Sequence, residues 1–140
     1  MAESPYEKYI LRDPVKDGPL GTYIHLGKEY FPELKFGMYW CTYSKPTVAH
    51  DEAMVHDFDQ FLWFIGGDPE NVRDFDAEVE LSLGKEQIKH TITSTSIVYI
   101  PKGLVHCPLK YKKVNKPFVV LDMSMTPKYV IKRPDAKEKK

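Results

Sequence analysis

Punctuation constrains this chain more than any other feature. Eleven prolines and eight glycines are spread along 140 residues and cut the apolar sequence into short runs. The runs are "GTYIHLG" (21–27), "KFGMYWCTY" (35–43), "QFLWFIGG" (60–67), "AEVELSLG" (77–84), "IKHTIT" (88–93), "SIVYIP" (96–101) and "PFVVLDMSM" (117–125). They are rich in aromatic and β-branched side chains, which suit a pleated, half-buried surface. In "EVELSLG" Val79, Leu81 and Leu83 alternate with Glu78, Glu80 and Ser82, the period of a strand with one buried face. "LGKEQ" then reads as a hairpin turn. A short helix near "SPYEKYIL" is the only one expected. Many short strands at this spacing predict an all-β sandwich or barrel with little helix.

The length suits one domain, and a chain of this size hides about 68–70% of its unfolded surface without a covalent staple. Lys+Arg and Asp+Glu both count 20, so no global field draws in nucleic acid. Cys41 and Cys107 are too few for a disulfide framework and form no CxxC pair, which fits free thiols in a reducing compartment. "MAESPYEKYILRDP" lacks the basic and apolar regions of a signal peptide. No apolar run reaches the roughly 18 residues of a membrane span. A cytoplasmic protein with neither a membrane nor a nucleic-acid partner is expected. Residues 1–34 read as an N-terminal segment with outer strand(s) packing on a barrel, 35–127 as the barrel core, and 128–140 as a charged, disordered tail.

Two segments carry chemistry. "MVHDFDQFLWFIGG" sets His56 and Gln60 on either side of the acidic turn "DFD", so that a tight turn brings them within reach of one ion. "YIPKGLVHCPL" places Pro101, Gly103 and His106 in order. Proline is tolerated at a strand end and glycine permits a turn, so His106 begins a new strand facing inward. Imidazole nitrogen and amide oxygen suit a divalent transition metal, with Fe, Mn, Zn, Ni and Cu all admissible.

These residues resemble the cupin family, small jelly-roll β-barrels that hold a metal inside. The family's first motif is Gly-x5-His-x-His-x3,4-Glu-x6-Gly. His56 takes its second histidine, Gln60 its glutamate and Gly67 its closing glycine. The second motif is Gly-x5-Pro-x-Gly-x2-His-x3-Asn, and Pro101, Gly103 and His106 match it in register. Val48 and Thr95 replace the leading glycines, Lys110 the final asparagine, and Met54 the first metal histidine. The resemblance spans roughly residues 36–125 and implies a cupin-type barrel with His56, Gln60 and His106 as metal ligands. His50 would fill the position left by Met54 if its strand bulges. His50 and Tyr43 are candidate acid–base residues, and Met54, Trp40 and Phe64 candidate substrate-binding residues.

A metal with open positions would polarise a small carboxylate, enol or catechol-like substrate. The reaction class, whether oxygenase, decarboxylase, isomerase or lyase, stays open. The alternative is a non-catalytic cupin that binds a small molecule, favoured by the weak donors at Met54 and Gln60. In "FLWFI" both faces are apolar, so the outer face needs a cover. The N-terminal segment or a second subunit would supply it, and a homodimer is expected.

Overall fold

The computed structural model describes residues 4–134. Ten strands run antiparallel in two sheets: β1 (Val15–Gly18), β2 (Gly21–Leu26), β3 (Gly37–Tyr43), β4 (Thr47–His50), β5 (Gln60–Gly66), β6 (Ala77–Leu83), β7 (Ile88–Ile92), β8 (Ser96–Ile100), β9 (His106–Val114) and β10 (Phe118–Ser124). The first sheet has the order β1-β2-β3-β10-β5-β8 and the second β4-β9-β6-β7. The expected helix is one 3-10 turn, Glu7–Tyr9. All seven runs read from sequence form strands, and β9 begins at His106. Sequence patterning missed β1 and β4, each only four residues long, because so short a run leaves little periodicity to read.

Alternation decides what lies between the sheets. Gln60, Leu62, Phe64 and Gly66 are buried along β5, while Phe61, Trp63 and Ile65 are only partly covered. Register carries that phase into β10 and β3: Leu62 pairs with Asp122 and Asp122 with Tyr39, Phe64 with Val120 and Val120 with Cys41, Gly66 with Phe118 and Phe118 with Tyr43. Leu62, Phe64, Phe118 and Val120 meet Ala77, Val79 and Leu81 of β6 and Leu109 and Tyr111 of β9 in one core. At its centre Tyr111 and Phe118 meet edge to face, ring centres 5.1 Å apart, an arrangement favoured by the ring quadrupoles.

Within the N-terminal segment β1 and β2 extend the first sheet in its own plane beyond β3. At the C-terminal end Lys132 pairs with Val55 through two backbone hydrogen bonds of 2.8 and 3.2 Å, which hold that part of the expected tail beside the barrel. Residues 135–140 of that expected tail lie outside the described residues. Among the described residues no helix is long and apolar enough to cross a membrane.

Candidate functional site

Backbone hydrogen bonds sew the two sequence segments together. Met54 and His106 exchange N–H···O bonds of 2.8 and 2.9 Å, and the Gly103 N–H donates to the His56 carbonyl at 2.9 Å. The Lys102 N–H donates to Asp59 Oδ1 at 2.8 Å. Gly103 has φ +86, a left-handed conformation in which a Cβ is costly. That turn lets "PKG" double back so that His106 enters β9 beside Met54.

The result is a buried polar cluster. Exposure is 3% for His56, 3% for Gln60, 1% for His106 and 1% for Met54. The rings of His56 and His106 lie 4.9 Å apart, centre to centre. Phe58 stacks on His56 at 4.6 Å, closing one side of the imidazole.

Hydrogen bonding sets the tautomers. His106 Nδ1 lies 3.0 Å from the Leu104 carbonyl, and His56 Nδ1 lies 2.8 Å from the Val130 carbonyl. A carbonyl only accepts, so each Nδ1 carries the proton and each Nε2 offers a lone pair. The Gln60 amide is oriented the same way. Its Nε2 donates to Asp122 Oδ1 at 2.7 Å, which leaves Oε1 as the free acceptor. Within the described residues, His106 Nε2 and Gln60 Oε1 are buried with no hydrogen-bond partner. Such orphaned groups cost about 1–3 kcal/mol each and call for an explanation.

The electrostatics agree with acceptors kept neutral. Burial pushes the His106 imidazole down to about 4, with smaller repulsion from His56 and His50. Burial also lowers His56. Asp122 is raised to about 6 by burial, against the opposing pull of the Gln60 hydrogen bond. Neutral imidazole with a free Nε2 is the metal-binding form of histidine. Two imidazole nitrogens and one amide oxygen therefore fit a divalent ion. No cluster of three or more His, Cys, Asp or Glu with metal-binding geometry occurs among the described residues.

Sequence reasoning missed Tyr129. Its hydroxyl lies 3.2 Å from His56 Nε2 and 3.8 Å from Met54 Sδ. The residue is 37% exposed, and the partial burial raises its phenol above the ordinary value, while the nearby Gln60 amide acts in the opposite direction. Nothing around Tyr129 in the sequence signals this role, because its partners lie more than seventy residues away. Asp122 was more legible. It occupies the inward phase of "PFVVLDMSM" with Phe118 and Val120, where a carboxylate is out of place.

The remaining candidates separate. Met54 is a wall of the cluster. His50 ends β4 beside a register shift between Val48 and His50, so the bulge is there, yet His50 does not gather with His56 and His106 into a ligand group. It stands close enough to disfavour protonation of both. Tyr43 lies at the opposite end of the core, its ring 4.5 Å from Tyr111 and 5.9 Å from Phe118. Phe64 is fully enclosed in that same core against Tyr111. Trp40 pairs with Ile24 and Leu121 on the outer phase of the sheet, facing away from the histidines. The sequence left open which face of β3 is inside; Tyr39, Cys41 and Tyr43 occupy it, so Trp40 does not line the cluster, while Phe64 shares the inner face of β5 with Gln60.

A cleft of about 200 Å³ opens on the inner face of the first sheet, lined by His25, Glu29, Tyr39, Ser124, Thr126 and Tyr129 among others. His25 is paired with Glu29 and stacked on Tyr39 at 4.3 Å. Tyr129 touches both the cleft and the histidine cluster.

The two antiparallel sheets have the cupin fold, as solved structures of similar architecture show. An oxalate decarboxylase from Bacillus subtilis superposes with a TM-score of 0.59 at 8% identity, covering 90% of this chain and 31% of its own. Mn(II) centres are described in the Bacillus subtilis enzyme. An oxalate oxidase in complex with glycolate gives a TM-score of 0.55 at 12% identity, over 84% of this chain and 59% of its own. The polyketide cyclase RemF from Streptomyces resistomycificus gives 0.53 at 12% identity, over 89% and 76%. This chain thus spans about a third of the length of the decarboxylase. No protein-family model and no curated protein matches the sequence.

Proposed function

We propose that this chain is a metal-dependent enzyme of cupin fold acting on a small carboxylate, enol or catechol-like molecule, with His56, His106 and Gln60 holding one divalent transition metal. The observation that carries the reading is the pair of buried, unpartnered acceptors, His106 Nε2 and Gln60 Oε1, beside His56 Nε2, whose lone pair meets the Tyr129 hydroxyl. When bound, the metal would polarise the substrate as a Lewis acid. The chain's own residues supply the rest. Leu104 and Val130 carbonyls hold the two imidazoles in the ligating tautomer, Asp122 aims the Gln60 oxygen, and Phe58 with Met54 excludes water.

The oxalate and glycolate named for the structural neighbours are small carboxylates, the substrate class that a site of this size favours. The cleft beside Tyr129 offers such a molecule an approach. A cytoplasmic homodimer completes the proposal, with the outer face of the first sheet as its contact. A non-catalytic binder is the second reading, favoured by the absence of a carboxylate among the three donors.

Metal analysis of protein purified without added metal, alongside His106→Ala, tests the proposal. One first-row ion per chain, lost in the variant, is expected. Protein that takes up no first-row ion even on reconstitution overturns it in favour of the metal-free binder.

A further inference from the structure

We propose that Tyr129 is a metal ligand, its hydroxyl oxygen joining His56, His106 and Gln60 around one ion from the position that Met54 cannot fill. The proposal rests on the metal reading above and adds a donor that no sequence motif marks. Its hydroxyl stands 3.2 Å from His56 Nε2 and 3.8 Å from Met54 Sδ, so it occupies the thioether's corner of the cluster. Two ligands each about 2.0–2.2 Å from one ion and separated by that 3.2 Å subtend an angle of about 100°. That value falls between the octahedral and tetrahedral angles, so both atoms serve a single ion with little movement.

The segment carrying Tyr129 is built around His56. Tyr129 meets Nε2 of the ring, and the next residue, Val130, accepts from Nδ1 at 2.8 Å. Two residues further on, Lys132 is clamped to Val55 by its pair of backbone bonds. Consecutive residues of the C-terminal segment thus serve both nitrogens of one histidine. Without metal the Tyr129 hydroxyl donates to the His56 Nε2 lone pair, so its oxygen already lies beside the nitrogen that would take the ion. On ligation the phenol proton leaves to solvent and the oxygen lone pair goes to the ion. No oxidant or reductant is required. Because Tyr129 also lines the cleft, a small molecule entering there meets the ligand that closes the cluster.

Ferric iron is the probe, since phenolate bound to it gives a visible charge-transfer absorption and tyrosinate modes in the resonance Raman spectrum. Wild-type protein loaded with ferric iron should show both, and Tyr129→Phe should show neither. Phenylalanine keeps the ring packing, and the thermal midpoint of the chelator-treated variant checks folding. Co(II) affinity should fall at least about tenfold in Tyr129→Phe, the lower end of what loss of a supporting partner costs. Co(II) binding that depends on His106 but is equal in wild type and Tyr129→Phe, with no charge-transfer band, would overturn the ligand assignment and leave the metal site standing. Failure of wild type to bind either ion would overturn both.

Discussion

The Gln60 amide donates to Asp122 Oδ1 at 2.7 Å, and this one bond decides which end of the amide faces the histidines. It also ties the cluster to pH. Asp122 is raised to about 6 in the fold from an ordinary 3.8. The native state therefore keeps a proton that the unfolded chain releases, and this group's stabilisation is lost as pH rises from about 4 to about 6. Asp122→Asn can still accept from Gln60 and carries no charge. In chelator-treated protein it should be more stable than wild type at pH 7, by about 2–3 kcal/mol. Urea denaturation at pH 7 measures this, and a variant no more stable than wild type would show the carboxyl to be ordinary.

His106 acts with the opposite sign. Its imidazole is pushed from 6.5 down to about 4, so the unfolded chain binds a proton that the fold excludes. Stability from this group is complete above about pH 6.5 and falls by about 3 kcal/mol as pH drops to about 4. In wild type the protonation of Asp122 masks part of that slope. In the Asp122→Asn background the metal-free protein should lose stability steadily between pH 6.5 and 4, and urea midpoints across that range check it. A flat profile there would mean that His106 is protonated in the fold.

Met54 tests the donor set from another side. Met54→His introduces an imidazole where the thioether now meets Tyr129. It should tighten Co(II) binding by at least about tenfold, equivalent to about 1.4 kcal/mol. Without metal the same change adds a buried polar group and should cost about 1–3 kcal/mol. Thermal melts with and without the ion should therefore move in opposite directions. Destabilisation in both, with indifference to every first-row ion, favours the metal-free binder.

The outer face of the first sheet predicts self-association. Ile97 and Tyr99 on β8 are 57% and 54% exposed, beside partly covered Phe61, Trp63 and Ile65 on β5. β8 is also the edge strand of that sheet, with backbone groups free to pair. An apolar patch next to an open edge is a marker of an interface. We expect sedimentation at tens of micromolar to give twice the chain mass, and Ile97→Glu with Tyr99→Lys to give the monomer. A wild-type monomer at that concentration would rule the interface out.

The sequence by itself determined every strand but the four-residue β1 and β4, and the two segments that carry His56, Gln60 and His106. Alternation and turn chemistry are local: "EVELSLG" or "IPKGLVH" contains its own reason for its conformation. Tertiary structure decided which face of β3 turns inward, so that Tyr39 and not Trp40 looks into the barrel, because both faces of that strand are equally apolar. It buried Cys107 beside His106 against simple alternation, since Cys107 adopts φ +76 where the β6–β9 register shifts. It also brought Tyr129 and Val130 from the expected tail onto His56. Those contacts join residues more than seventy positions apart, and no short-range pattern encodes them. They arise only when two sheets close over one core and the chain end returns across the opening.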